Sequence, residues 1–114
     1  GKQDGLVNSW YMNGQKKNEG IFKDGKPDGL YTQWYSHGQK KEEGTYKNGE
    51  KDGLWNEWYK SRQKKSEGTY KDGKPNGLGT DWFDNGQKKN EGIFKDGKIV
   101  KIIGMWNEDG SLLY

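Results

Sequence analysis

Trp10, Trp34, Trp58, Trp82 and Trp106 follow one another at an unbroken interval of 24 residues. A strict period of this length signals a stacked array in which each unit is one supersecondary element, too small to bury its own apolar surface. Residues 4–27, 28–51, 52–75 and 76–99 align without a gap on the pattern D-G-L-x-x-x-W-Y-x-N-G-Q-K-K-x-E-G-x-Y-K-D-G-K-P. Residues 100–114 begin a fifth copy and stop halfway, so residues 1–114 read as a single repeat array. Gly1-Lys2-Gln3 match the close of a unit, which points to a longer parent array; with no initiator Met and no signal sequence, a processed form or a fragment is expected.

Each unit carries two turn signals, Asn-Gly or its equivalent and then Asp-Gly, and both are expected to form the type I′ turns of hairpins. Two turns leave two strands per unit. Consecutive strands joined by tight turns are antiparallel neighbours, so the fold is all-β: tandem 24-residue β-hairpins in an elongated, twisted, single-layer meander. About nine strands at roughly 4.8 Å each would extend about 40 Å. Along one strand Leu30, Thr32 and Trp34 point to one side and Tyr31, Gln33 and Tyr35 to the other.

Composition supports a thin structure. Only 27% of residues are hydrophobic and 32% are charged, too polar for a thick core. Yet six Trp and seven Tyr are far more than a disordered chain carries. The longest apolar stretch, Ile99 to Ile103, is broken by Lys101 and is far short of the roughly 20 residues of a membrane-spanning helix. Absence of Cys excludes disulfides and thiolate metal sites and leaves the compartment open.

The columns D-G-L-x-x-x-W-Y-x-N-G-Q and E-G-x-Y-K-D-G-K resemble the bacterial variant of the MORN repeat (membrane occupation and recognition nexus) over essentially the whole chain. Arg62 departs from the pattern at a turn Gly, and Val100-Lys101 replace Asp-Gly. The resemblance implies an aromatic-lined sheet used for protein association, with membrane phosphoinositides or a secreted toxin, met by an antitoxin or immunity-type partner, among the known settings. Short Gly-Trp-Tyr hairpins also resemble choline-binding wall modules, which makes surface glycan a further ligand to weigh.

The Trp ladder at positions 10, 34, 58, 82 and 106 is expected to be structural, its indoles packing over Gly20, Gly44, Gly68 and Gly92. Tyr11, Tyr35, Tyr59 and Phe83 form an adjacent column that could meet a ligand. Val7, Tyr31, Trp55, Gly79 and Ile103 form a variable column, and variation within strict repetition is where specificity resides, so Tyr31 and Trp55 are the first candidates for a protein contact. Lys16, Lys17, Lys40, Lys41, Lys64, Lys65, Lys88 and Lys89 make a row of paired cations along one side, suited to an anionic membrane surface, with Glu19, Glu43, Glu67 and Glu91 placed to neutralise part of it. A net charge of +3 is too small for a dedicated nucleic-acid groove. Asp24, Asp28, Asp72 and Asp96 are explained as turn residues rather than calcium ligands. With His37 as the single histidine, itself at a turn, and no nucleophile outside the repeat pattern, neither catalysis nor a cofactor is expected. Val100, Ile102, Ile103, Leu112 and Leu113 make the last half-repeat a cap or a self-association edge.

Overall fold

The computed structural model describes residues 4–113, so the expectation built on Gly1-Lys2-Gln3 lies outside the described residues. One antiparallel sheet contains β1 (Gly5–Trp10), β2 (Lys16–Lys23), β3 (Lys26–Trp34), β4 (Lys40–Lys47), β5 (Glu50–Lys51), β6 (Gly53–Trp58), β7 (Lys64–Lys71), β8 (Lys74–Trp82), β9 (Lys88–Lys95) and β10 (Lys98–Met105). The strands follow one another across the sheet in chain order, β5 and β6 both pairing with β4, and the sheet does not close. Ten strands occupy nine positions, because β5 and β6 are halves of one strand interrupted at Asp52, whose amide donates to the Thr45 carbonyl at 2.9 Å.

The two turns of a unit differ. At Asp24-Gly25, Asn48-Gly49, Asp72-Gly73 and Asp96-Gly97 both central residues have positive φ, as a two-residue type I′ turn requires. The other turn corrects the expectation of a second I′ turn. Gly14 N–H donates to the Tyr11 carbonyl at 3.0 Å and Tyr11 N–H to the Gln15 carbonyl at 2.8 Å, closing a three-residue loop in which only Gly14 is left-handed. Arg62 keeps this geometry at φ 82° without the freedom of glycine, at a cost of about 1–2 kcal/mol.

The molecule measures 51 × 35 × 12 Å, and 12 Å is the thickness of one sheet. Its radius of gyration of 16.1 Å exceeds the roughly 13 Å of a compact domain of this size. With one layer, side chains can be covered only by neighbours lying flat across adjacent strands. Register then defines two faces. Val7, Tyr31, Trp55 and Gly79 stand opposite Gly20, Gly44, Gly68 and Gly92, and Phe22, Tyr46, Tyr70 and Phe94 share their side. On the reverse, Leu6, Leu30, Leu54 and Leu78 pair with Ile21, Thr45, Thr69 and Ile93. We call these the aromatic face and the leucine face.

At the end of the array β10 is irregular, with register shifts that place Ile102 rather than Ile103 opposite Gly92. This moves Ile103 out of the variable column where sequence alignment puts it. Trp106 bridges to Leu112, and the Leu113 amide donates to the Met105 carbonyl at 2.7 Å, so the chain folds back along the outer edge of β10. Ile99, Val100, Ile102, Ile103, Leu112 and Leu113 remain exposed there.

Candidate functional site

Because Gly44 has no side chain, the indole of Trp55 lies down across it, and a methyl group added at Gly44 would fall inside that ring. Trp55 is 3% exposed, the only buried hydrophobic side chain among the described residues. Its Nε1–H donates to the Thr45 carbonyl at 3.0 Å. Tyr46 meets it edge-on, ring centres 4.9 Å apart, and Tyr31 lies 6.3 Å away on the other side of Tyr46's edge contact at 5.6 Å. The Lys51 ammonium stands 4.4 Å from the Trp55 ring centre and 5.0 Å from that of Tyr70, and it pairs with Glu42 at 3.5 Å. Burial pushes the hydroxyl pKa values of Tyr31 and Tyr46 up, and the Glu42 charge adds to the rise.

This geometry corrects two expectations. Trp55 does not offer its ring to solvent: it is the centre of the packing on its face. Of the four glycines named, Gly44 is covered by Trp55 and Gly20 by Tyr31, both from the variable column; the Trp ladder stands on the opposite face, where Trp106 lies over Gly104. The aromatics that complete the cluster, Phe22, Tyr46, Tyr70 and Phe94, were legible in the E-G-x-Y column, since a residue two beyond the strand Gly shares its side.

At Gly79 the variable column has no ring to lay down. Gly68 is consequently bare, with only the Gly79 backbone near it, and a hollow of about 170 Å³ opens between Trp55 and Tyr70 on one side and Phe94 on the other. Lys51, Glu57 and Asp81 also line it.

The Tyr column has a structural task. Tyr11, Tyr35 and Tyr59 each donate from the hydroxyl to the carbonyl of the next ladder residue, Trp34, Trp58 and Trp82, all at 2.7 Å, stitching each repeat to its successor. Burial raises the pKa of Tyr35, helped by Glu57 and Asp84, and that of Tyr59, helped by Asp84 and Asp81. Phe83, without a hydroxyl, forms no such bond. His37 places Nε2 3.0 Å from the Lys60 carbonyl, where Asn13 and Asn85 donate to Ser36 and Glu108 in their own turns. Asp28 accepts from the Asn48 amide at 2.9 Å, a turn role. Among the described residues no group of three or more metal-ligating side chains converges.

The expected single row of paired lysines divides in two. Lys16, Lys40, Lys64 and Lys88 bond to Glu19, Glu43, Glu67 and Glu91, three residues on. Three of them also stand over a ladder ring of the next repeat: Lys16 over Trp34 at 5.6 Å, Lys64 over Trp82 at 6.0 Å and Lys88 over Trp106 at 5.9 Å. Trp10 has no such cover among the described residues and is 59% exposed. The second lysine of each pair, Lys17, Lys41, Lys65 or Lys89, stands 5.7 Å from the ring of Tyr11, Tyr35, Tyr59 or Phe83 and has no ion pair among the described residues. Beneath the first set, Thr32 and Thr80 are buried and donate to Glu43 and Glu91, and the bond from Thr80, with that from Lys88, holds the Glu91 carboxyl below its ordinary pKa.

Compared with known families, residues 19–30, 43–54 and 67–88 match the model described as MORN repeat, and residues 27–48 match the MORN repeat variant, together just over half of the chain. No curated protein matches it.

Proposed function

Since the chain belongs to the MORN-repeat family, whose repeats are generally associated with protein or membrane-lipid binding and whose proteins are typically non-enzymatic, we propose that it is a protein-binding module whose partner lies across the aromatic face. One observation carries this reading. The leucine face repeats itself, with Leu6, Leu30, Leu54 and Leu78 in one column, whereas the aromatic face changes from Val7 to Tyr31 to Trp55 to Gly79 within the same framework. A surface that must recognise one partner needs features that differ along its length, and packing needs only the repeat. Affinity capture from a lysate of the source cell tests it, using the wild type, a Glu57→Lys/Asp81→Lys variant on the aromatic face and a Leu30→Ser control on the other. A protein retained by wild type and control and lost by the charge variant is expected. Retention by all three, or capture of nothing, removes the reading.

The resemblance to bacterial members suggests a finer form, steric capture of a toxin by an antitoxin or immunity-type partner. A captured protein that is toxic when expressed alone and neutralised by co-expression of this chain would support it; a harmless one would remove it.

The unpaired lysines favour a second reading, peripheral attachment to an anionic membrane. Lys17, Lys41, Lys65 and Lys89 recur once per repeat without a carboxylate partner among the described residues, and each cation near such a surface contributes about 1 kcal/mol. Sedimentation with phosphatidylserine vesicles should be strong at low salt and fade as the Debye length shrinks. No sedimentation at low salt disposes of it.

A further inference from the structure

Within the protein-binding reading, on which this inference rests, we infer that the hollow at Gly79 is a slot for an aromatic side chain, Trp above all, carried by a partner segment with a basic residue beside it. The first support is internal. The same framework position holds an aromatic ring in the two preceding repeats: Tyr31 lies against Gly20 and Trp55 lies over Gly44 and edge-on to Tyr46. The repeat at Gly79 retains the floor and flanking residues of that arrangement, with Pro75 in the place of Lys51. Gly68 forms the bare floor in the place of Gly44, Tyr70 stands in the place of Tyr46, and Thr69 occupies the register position of Thr45, whose carbonyl accepts from the Trp55 indole. What the repeat lacks is the ring and the cation that covers it. Gly68, Gly79 and Gly92 face one another across three strands, so the floor is backbone alone.

Size agrees. The hollow measures about 170 Å³ and is open to solvent with a mixed polar and aromatic lining, room enough for a ring when an enclosed apolar cavity of about 150 Å³ accepts benzene. An indole seated there would have Tyr70 and Trp55 on one side and Phe94 on the other, apolar and aromatic contacts of the kind that make Trp a dominant anchor at interfaces.

Charge specifies the neighbour. Glu57 and Asp81 flank Ser66 on adjacent strands, pointing to the aromatic face at the lip of the hollow. Neither has an ion-pair partner among the described residues, whereas Glu42, one repeat earlier in the same row, is paired with Lys51. The Lys51 ammonium that pairs with Glu42 also lines the hollow, and Glu42 stands directly opposite Glu57, so the three carboxylates of this row, Glu42, Glu57 and Asp81, outnumber the cation beside them and leave the lip net anionic. A segment carrying Arg or Lys next to its aromatic residue would complete both vacancies together, the ring on the glycines and the cation between the two carboxylates.

The test uses the full chain, isotopically labelled, and capped Gly-Trp-Gly-Arg peptide as probe, with Gly-Trp-Gly-Glu and Gly-Ala-Gly-Arg as comparison peptides. Saturable amide shifts at Gly68, Gly79 and Gly92 are expected with the first peptide, with affinity about tenfold lower for each of the others. Gly79→Trp supplies the missing ring from within, with the Phe94 ring, 3.2 Å from the new Cβ, turning aside, and should abolish these shifts. If that variant folds poorly, Glu57→Gln/Asp81→Asn leaves the hollow open and should reduce the advantage of the Arg peptide over a neutral Gly-Trp-Gly-Gly one to nothing. Absence of shifts at millimolar peptide, or shifts that Gly79→Trp or the neutralised variant leaves unchanged, overturns the slot. Sedimentation showing a mass that rises with protein concentration and falls back in Gly79→Trp would seat a second copy of this chain there and overturn the peptide assignment. The face-level reading stands or falls separately, on the capture experiment, which does not depend on Gly79.

Discussion

The two faces of this sheet solve one packing problem in different ways. On the leucine face every repeat does the same thing. A leucine sits half-exposed beside Ile or Thr, a Lys-Glu pair forms three residues apart, and in three of the four repeats its lysine stands over the Trp of the next. On the aromatic face the repeats cooperate unequally: Trp55, Tyr46, Tyr31 and Lys51 form one dense cluster in the middle of the array, and the glycine-floored hollow follows it. A single layer cannot bury both sides. The comparison teaches that the repeated face supplies many small, distributed contributions, while the variable face concentrates stability in one cluster and leaves room for a ligand beside it.

The sharpest way to break the comparison is truncation on each side of one strand. Trp55→Ala removes the one buried hydrophobic side chain among the described residues and should cost about 3–5 kcal/mol, whereas Leu54→Ala, one residue away on a half-exposed stripe, should cost about 1 kcal/mol. Chemical denaturation of the two variants decides it, and equal losses would mean that the faces share stability evenly. Gly44→Ala follows in size. Its methyl group collides with the indole, which must lift off the sheet, so a loss of about 1–3 kcal/mol is expected together with a red-shifted Trp emission; Gly68→Ala, with open space above it, should lose far less.

Next is the seam between repeats. Tyr35→Phe deletes the bond to the Trp58 carbonyl and should cost about 1 kcal/mol. The same phenols predict a pH dependence. Their folded pKa values lie above the ordinary value of 10.0, so ionisation is harder in the folded state. Their contribution is complete below pH 10 and is lost as the pH rises through the raised values. Melting temperature should hold between about pH 7 and 9 and fall beyond 10, and the fall should shrink in Tyr35→Phe/Tyr59→Phe. An unchanged alkaline limb in that double variant would acquit the seam.

The repeat length, the hairpins, the antiparallel order and the alternation within a regular strand were legible in the sequence, because each follows from a period, 24 for the unit and two for the strand; the register shifts that move Ile103 out of its column were not. Coverage was not. Alternation puts Tyr31 and Trp55 on one face, but whether a ring projects or lies flat depends on the adjacent strand, and only Gly44 beneath it allows Trp55 to lie down. The division of Lys16 from Lys17 has the same origin: a fixed spacing shows that two cations are neighbours, not that one reaches Glu19 while the other stands over Tyr11. The turn at Asn13-Gly14 escaped for another reason. Asn-Gly suits both a two-residue I′ turn and the last two places of a three-residue loop, and the distinction lies in how many residues close the ladder.

The smallest predicted effect tests whether the repeated face is as uniform as it looks. Asn8, Thr32, Asn56 and Thr80 alternate in one column, facing Glu19, Glu43, Glu67 and Glu91. The threonines donate to their glutamates, but Asn8 Oδ1 and Asn56 Oδ1 are buried without a hydrogen-bond partner. A carbonyl oxygen facing a carboxylate finds no donor there, whereas a hydroxyl can turn its proton toward it, and Thr also suits a strand better than Asn. Asn56→Thr should therefore gain up to about 1 kcal/mol, or roughly 4 °C in melting temperature, and the reciprocal Thr32→Asn should lose a similar amount. Differential scanning calorimetry on both variants measures it. A gain from the first with a matching loss from the second would mean that the column's alternation carries a stability cost in two of its four members; no change in either would mean that the glutamates, held by their lysines, do not need the hydroxyl at all.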